Sequence, residues 1–236
     1  MTRYSDLLEM LTIVSHALGD ELLQEVAFLG GCTTGLLITD EVSRDAVRYT
    51  EDVDLITHVI GYPQWLVFQS QLSERGFVVD PRGDTICRMR LGGLKVDFMP
   101  DDASILGFSN RWYADAFDQA QDFTLGDGTT IRLVSACHFI ATKLEAYLGR
   151  GNNDPLSSHD IEDMVNVIDG REELLNDIAI ADVALQNYLS QQLALLMQHP
   201  GFDYVVQSAC RGNIDREEII KSRLQKMIDI NITDLK

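Results

Sequence analysis

Between Asp52 and Leu55 the chain reads Asp-Val-Asp-Leu, alternating polar and apolar side chains with a period of two. An extended strand puts every second side chain on one face, so the segment predicts a half-buried strand with Val53 and Leu55 in a core and both carboxylates opposite. Such a strand needs partners. Val26-Ala27-Phe28-Leu29 predicts a short buried strand closed by Gly30-Gly31, with a helix beginning at Thr33 or Thr34. Residues 85–91 and 94–99 predict two strands joined by Gly92-Gly93, where both central residues can take positive φ. A further hairpin is expected over 123–133, and helices over 5–17, 62–75 and 109–119. From Ser135 the pattern is helical, with breaks at 149–157, Gly170, Pro200-Gly201 and Gly212. Strands first and helices later imply an α+β (α/β) chain. The strand-bearing half is expected over 1–134, and an all-helical C-terminal subdomain over 135–236.

Composition narrows the function classes. The 236 residues carry 37 acids and 19 bases, a net charge of −18, which argues against nonspecific wrapping of nucleic acid. A local basic groove stays open if Arg82, Arg88, Arg90, Lys95, Arg111 and Arg132 gather on one side. Cys32, Cys87, Cys137 and Cys210 form no CxxC pair, so neither a zinc site nor a disulfide framework is expected, and a reducing cytosol fits. The start has acids at Asp6 and Glu9 and no secretory layout, and the longest apolar stretch, 26–38, is too interrupted and short to span a bilayer. A cytoplasmic protein without membrane association is expected.

Asp52 and Asp54 share a strand face, and Asp97 follows in Leu94-Lys95-Val96-Asp97-Phe98. Acids brought that close repel one another, and a divalent cation removes the conflict. Oxygen-only ligands suit Mg²⁺, which keeps waters and is completed by substrate phosphates. Gly30-Gly31 lets backbone N–H groups approach a phosphate with no Cβ in the way. Each feature also has a plainer reading, a solvated acid pair and a tight turn; it is their combination that points to a site.

The order Leu29-Gly30-Gly31, then Asp52-Val53-Asp54-Leu55, then a strand carrying Asp97, resembles the nucleotidyltransferase superfamily that shares the DNA polymerase β-like palm. More narrowly, Arg48-x-Thr50-x-Asp52-Val53-Asp54-Leu55, with a downstream helix containing Lys143 and Arg150, is similar to the AbiE-type toxin-related minimal nucleotidyltransferases. The resemblance covers residues 24 to 165. It implies a nucleotidyltransferase-type mixed sheet, with Asp52, Asp54 and Asp97 as catalytic residues holding two Mg²⁺ ions and Asp97 taking the acceptor proton. It further implies an NTP bound by Gly30, Gly31, Thr33, Arg48, Thr50, Lys143 and Arg150. Cys32 stands where the family often has Ser or Thr, with Thr33 next, so either side chain is a candidate for phosphate contact.

Lys143 interrupts the apolar stripe Ala136, Phe139, Ile140, Tyr147 and Leu148, so it either snorkels to water or meets a triphosphate. Arg150 lies on the same face, about 10 Å along the helix. Related proteins carry an acid after the lysine helix. Here Asp160 and Asp163 are the candidates, although Asp160 can equally belong to a helix cap begun by Ser157. Arg48 can alternatively pair with Asp45 or Glu51 at the surface. His138 and His159 lack a second ligand at metal spacing and are read as structural or surface residues.

The leading expectation is transfer of NMP from an NTP to a hydroxyl of RNA, such as a tRNA end, or of a protein, with a cognate antitoxin as a further partner. A small-molecule nucleotidyltransferase of the aminoglycoside-modifying type would suit the surplus acids. A noncatalytic nucleotide- or partner-binding member is the third reading, with Leu185, Leu189, Leu193 and Leu196 as an interface.

Overall fold

The computed structural model describes residues 3–44, 47–81 and 85–230. In chain order the elements begin with α1 (Arg3–Leu23), β1 (Val26–Leu29), a 3-10 turn (Gly31–Thr33), α2 (Thr34–Leu37), α3 (Glu41–Arg44) and β2 (Asp52–Thr57). Then come α4 (Gly61–Glu74), β3 (Val78–Val79), β4 (Arg88–Leu91), β5 (Leu94–Pro100), α5 (Ala103–Leu106), α6 (Tyr113–Asp118), β6 (Gln121–Thr124) and β7 (Thr130–Leu133). The remainder is helical: α7 (Ala136–Arg150), α8 (His159–Gly170), α9 (Leu174–Ala179), α10 (Val183–Met197), α11 (Phe202–Cys210) and α12 (Ile214–Asp229). The fold class is α+β.

One compact unit comprises Met1–Thr33 and Arg48–Ser135, the other Thr34–Val47 and Ala136–Lys236. Residues 34–47 thus group with the helices that follow 135. Long-range contacts are the reason. The backbone N–H groups of Thr39 and Asp40 both donate to the Gly170 carbonyl, at 3.0 and 2.9 Å. Arg216 bridges Asp40 and Ser43 to Asp169.

In the first unit the strands form one sheet in the order β3-β4-β5-β2-β1-β7-β6. β2 runs parallel to β5 and antiparallel to β1, while β4 and β5 form the antiparallel glycine hairpin. Alternation along β2 is realised as expected: Val53 and Leu55 are buried, whereas Asp52 and Asp54 are half-exposed. The core behind β5 is aromatic. Phe98 receives the rings of Phe68 and Phe77 edge-on at 5.7 and 5.4 Å, a favourable quadrupolar arrangement that fixes the strand carrying Asp97. The stripe Leu7, Leu11, Val14 and Leu18 buries α1 against β1, β2 and β7.

Several boundaries move for local reasons. β4 starts only at Arg88, whose N–H closes a turn onto the Thr85 carbonyl. Of the two hairpin glycines Gly92 alone takes positive φ, at 58°. α4 ends as expected at Gly76 (φ 90°), with Gly76 and Phe77 N–H groups capping the Ser73 and Leu72 carbonyls. The helix after the glycine pair is a single turn, and that expected over 109–119 contracts to Tyr113–Asp118.

The helical unit buries Ile161, Met164, Val165 and Ile168 of α8, and Leu185, Leu189, Leu193 and Leu196 of α10. The α10 leucines are thus core, packed against α7 and α12, and not an exposed docking stripe. Leu148 of α7 departs from its expected stripe and is exposed. Among the described residues, no helix is long and apolar enough to cross a membrane.

Candidate functional site

Backbone register places the acids. Leu29 of β1 faces Asp54 of β2, Asp54 faces Asp97 of β5, and Asp97 faces Arg88 of β4, so one row crosses four strands. Directly opposed residues share a sheet face, and Asp52 joins it by the period of two. One oxygen from each of Asp52, Asp54 and Asp97 lies within 4.8 Å of the others. Asp97 is the most enclosed, its side chain 11% exposed, while that of Asp52 is 33% exposed.

The turn after β1 is shaped by this cluster. Gly30 adopts φ +80°, and a Cβ there would lie 1.9 Å from Asp54 Oδ2. Glycine is therefore required twice, by its backbone conformation and by the approach of the carboxylate. The N–H and hydroxyl of Thr33 both donate to the Gly30 carbonyl, at 3.1 and 2.9 Å, and the Thr33 side chain is buried. Cys32 is likewise buried and donates its thiol to the Leu29 carbonyl. Both side chains hold the turn together.

Around the carboxylates, the Thr50 hydroxyl donates to Asp52 Oδ1. Arg88 clasps Asp97 with two parallel bonds, Nε to Oδ1 at 2.8 Å and Nη2 to Oδ2 at 2.5 Å, and its Nη2 lies 3.7 Å from Asp52. The hydrogen bond to Asp97 raises the Arg88 pKa above its usual value, against the pull of partial burial, and the charges of Asp97, Asp52 and Asp54 add to the rise. Burial also pushes the adjoining Cys87 thiol up, and Asp97 reinforces it. The bond from Arg88 to Asp97 escaped the sequence reading, although a signal existed. Counting outward from Gly92-Gly93 pairs Leu91 with Leu94 and, three steps on, Arg88 with Asp97.

Arg48 donates at 3.5 Å to the Tyr49 carbonyl. Of its two expected surface partners, Glu51 takes Lys95 at 2.9 Å, and Asp45 lies outside the described residues. The bases of the expected groove are committed singly. Arg90 meets Asp80 at 3.4 Å, Arg132 donates to the carbonyls of Gln24 and Phe117, and Arg111 lies over the Trp112 ring. Arg82 lies outside the described residues.

Lys143, Arg150, Asp160 and Asp163 belong to the helical unit and form a cluster of their own. Lys143 Nζ lies 2.7 Å from Asp163 and 3.2 Å from Asp160, with all three side chains buried. Arg150 binds both Asp160 oxygens, at 3.0 and 2.9 Å. Burial pushes the Asp160 carboxyl up, but the Arg150 hydrogen bond and the charges of Lys143 and Arg150 outweigh it and hold the group below the usual carboxylate range. Lys143 therefore does not snorkel to water, and neither does Asp160 cap its helix. Ser158 accepts from the Ile161 N–H as N-cap, one residue after the expected Ser157. His138 is buried, and His159 is exposed beside Glu162.

The Asp52, Asp54 and Asp97 donor set fits a hard divalent cation. Every ligand atom is a carboxylate oxygen, and the glycine beside Asp54 leaves room that a side chain would fill. Among the described residues no other group of three or more histidine, cysteine or acidic side chains converges in this way. The chain matches no protein-family model and no curated protein sequence.

Proposed function

We propose that the chain is a Mg²⁺-dependent nucleotidyltransferase that moves NMP from an NTP to a hydroxyl acceptor and releases pyrophosphate. The observation that supports this reading above others is the row of carboxylates whose oxygens lie within 4.8 Å of one another beside a glycine turn. Asp52 and Asp54 would hold two ions, with Asp97 completing the one nearer the acceptor. Bound Mg²⁺ neutralises phosphate charge and lowers the pKa of a coordinated hydroxyl. Asp97, once Arg88 gives up one of its oxygens, takes the proton from the acceptor hydroxyl while the hydroxyl oxygen bonds to the α-phosphorus and the bond to pyrophosphate breaks. Thr50 orients Asp52 through its hydroxyl, and Thr33 ties the turn so that Gly30 and Gly31 offer backbone to a phosphate.

RNA or a protein hydroxyl is the acceptor in this reading, in a reducing cytosol that suits four free buried thiols. A small cationic acceptor is the second reading. It is favoured by the charge of −18 and by the individual commitments of Arg88, Arg90, Lys95 and Arg132.

The test is incubation with each labelled NTP in the presence of total RNA, lysate protein or an aminoglycoside. Label should appear on one acceptor class. Asp52→Ala or Asp97→Ala should reduce it by at least about a hundredfold, the scale of losing a group that stabilises transition-state charge, with an unchanged circular dichroism spectrum. Full activity in either variant refutes the reading. Calorimetric binding of Mg²⁺ and NTP without transfer to any acceptor would replace it with a noncatalytic nucleotide-binding role.

A further inference from the structure

Both oxygens of Asp97 are occupied by one guanidinium. Arg88 reaches them at 2.8 and 2.5 Å, a fork-to-fork geometry in which two charge-assisted bonds act together. The backbone builds this contact in, since Arg88 and Asp97 are opposed residues of the β4–β5 hairpin. The two side chains are 28% and 11% exposed, so their attraction is less screened than that of a surface pair. Asp52 is held differently: it receives a neutral hydroxyl from Thr50 and meets Arg88 only at 3.7 Å.

We propose that Arg88 is an intrinsic counter-cation that withholds Asp97 from a second divalent ion. The site then fills in order, first at Asp52 and Asp54, and at Asp97 only when the guanidinium yields it. This rests on the metal-site reading above and extends it to the sequence of loading. An ion arriving at Asp97 must compete with Arg88 for the carboxylate's lone pairs and settle beside a fixed positive charge. Arg88 acts through Asp97 and is a positioning residue. Any cation so near the acids repels metal ions, so what separates this role is that the gain falls on the weaker class of site and depends on Asp97.

The experiment is Mn²⁺ titration of the full chain without nucleotide, with free Mn²⁺ read by electron paramagnetic resonance. Wild type should show a tighter and a weaker class of site. Arg88→Met should tighten the weaker class by about tenfold or more, the scale of a lost charge-assisted bond. Arg88→Lys, which keeps the charge but not the fork, should fall between, and also serves if the Met variant does not fold. Adding Asp97→Asn to Arg88→Met should erase the gain. Unchanged or weaker binding in the Arg88 variants, or a gain that survives Asp97→Asn, overturns the proposal. If Mn²⁺ binding depends on Asp52 while the Arg88 variants match wild type, the counter-cation role alone fails. If Asp52→Asn leaves binding unaltered, the metal site itself fails and takes this inference with it.

Discussion

Replacing Gly30 with alanine separates two contributions that the turn after β1 superimposes. At φ +80° any Cβ carries left-handed strain of about 1–3 kcal/mol. The same Cβ would stand 1.9 Å from Asp54 Oδ2, 2.6 Å from its Cγ and 2.7 Å from its Cβ, so the carboxylate must move. Such overpacking adds about 1–3 kcal/mol, for an expected total near 3 kcal/mol. Gly92 supplies the control, with φ +58° and nothing within 4 Å of an added Cβ. Gly92→Ala carries the strain alone, about 1 kcal/mol. Urea titrations followed by tryptophan fluorescence suit the comparison, because Trp65 and Trp112 both lie in the unit that holds the sheet. Displacing Asp54 should also weaken Mn²⁺ binding by about tenfold in Gly30→Ala and not in Gly92→Ala. Equal destabilisation by the two substitutions, with metal affinity retained in both, would refute the claim that Gly30 makes room for Asp54.

The buried cluster of the helical unit gives two further expectations. Lys143→Met removes the cation 2.7 Å from Asp163, which is 1% exposed, and should cost about 3 kcal/mol by urea denaturation followed by far-ultraviolet circular dichroism; a change under about 1 kcal/mol contradicts the buried pairing. Asp160 titrates below the usual aspartate range when folded, so the stability it contributes is present above the unfolded value and is lost as pH falls through the folded pKa. Between about pH 5 and pH 3 wild type should therefore lose more stability than Asp160→Asn. Parallel curves would mean that Arg150 and Lys143 do not hold that carboxylate.

What could be read ahead of the structure was whatever rests on short-range pattern. The two-residue period of β2, the hairpin around Gly92 and the glycine stop of α4 are local, and each lies within a few residues of its expected position. Lys143 stood out as a charge inside an apolar stripe, but its partners lie on the next helix, 17 and 20 residues away, and a helical stripe does not specify which acid faces it. Thr33 was a candidate because the resemblance implies a hydroxyl soon after the glycines. The bond from that hydroxyl to the Gly30 carbonyl is local too, but a turn of this kind has no sequence signature that announces it. Residues 34–47 were opaque for another reason. Thr39, Asp40 and Ser43 are held by Gly170 and Arg216, more than a hundred positions downstream.

That same stretch has a practical outcome for anyone dissecting the molecule. The polypeptide passes from one compact body to the other at 33/34, back at 47/48 and over again at 135/136, so no single cut releases either body whole. A fragment ending at Ser135 would carry Leu36, Leu37 and Ile38, all buried in the intact chain, without Gly170, whose Cα faces Ile38. Insoluble expression of that fragment would reflect this orphaned tether, and replacing 34–47 with a short polar linker is the version to purify.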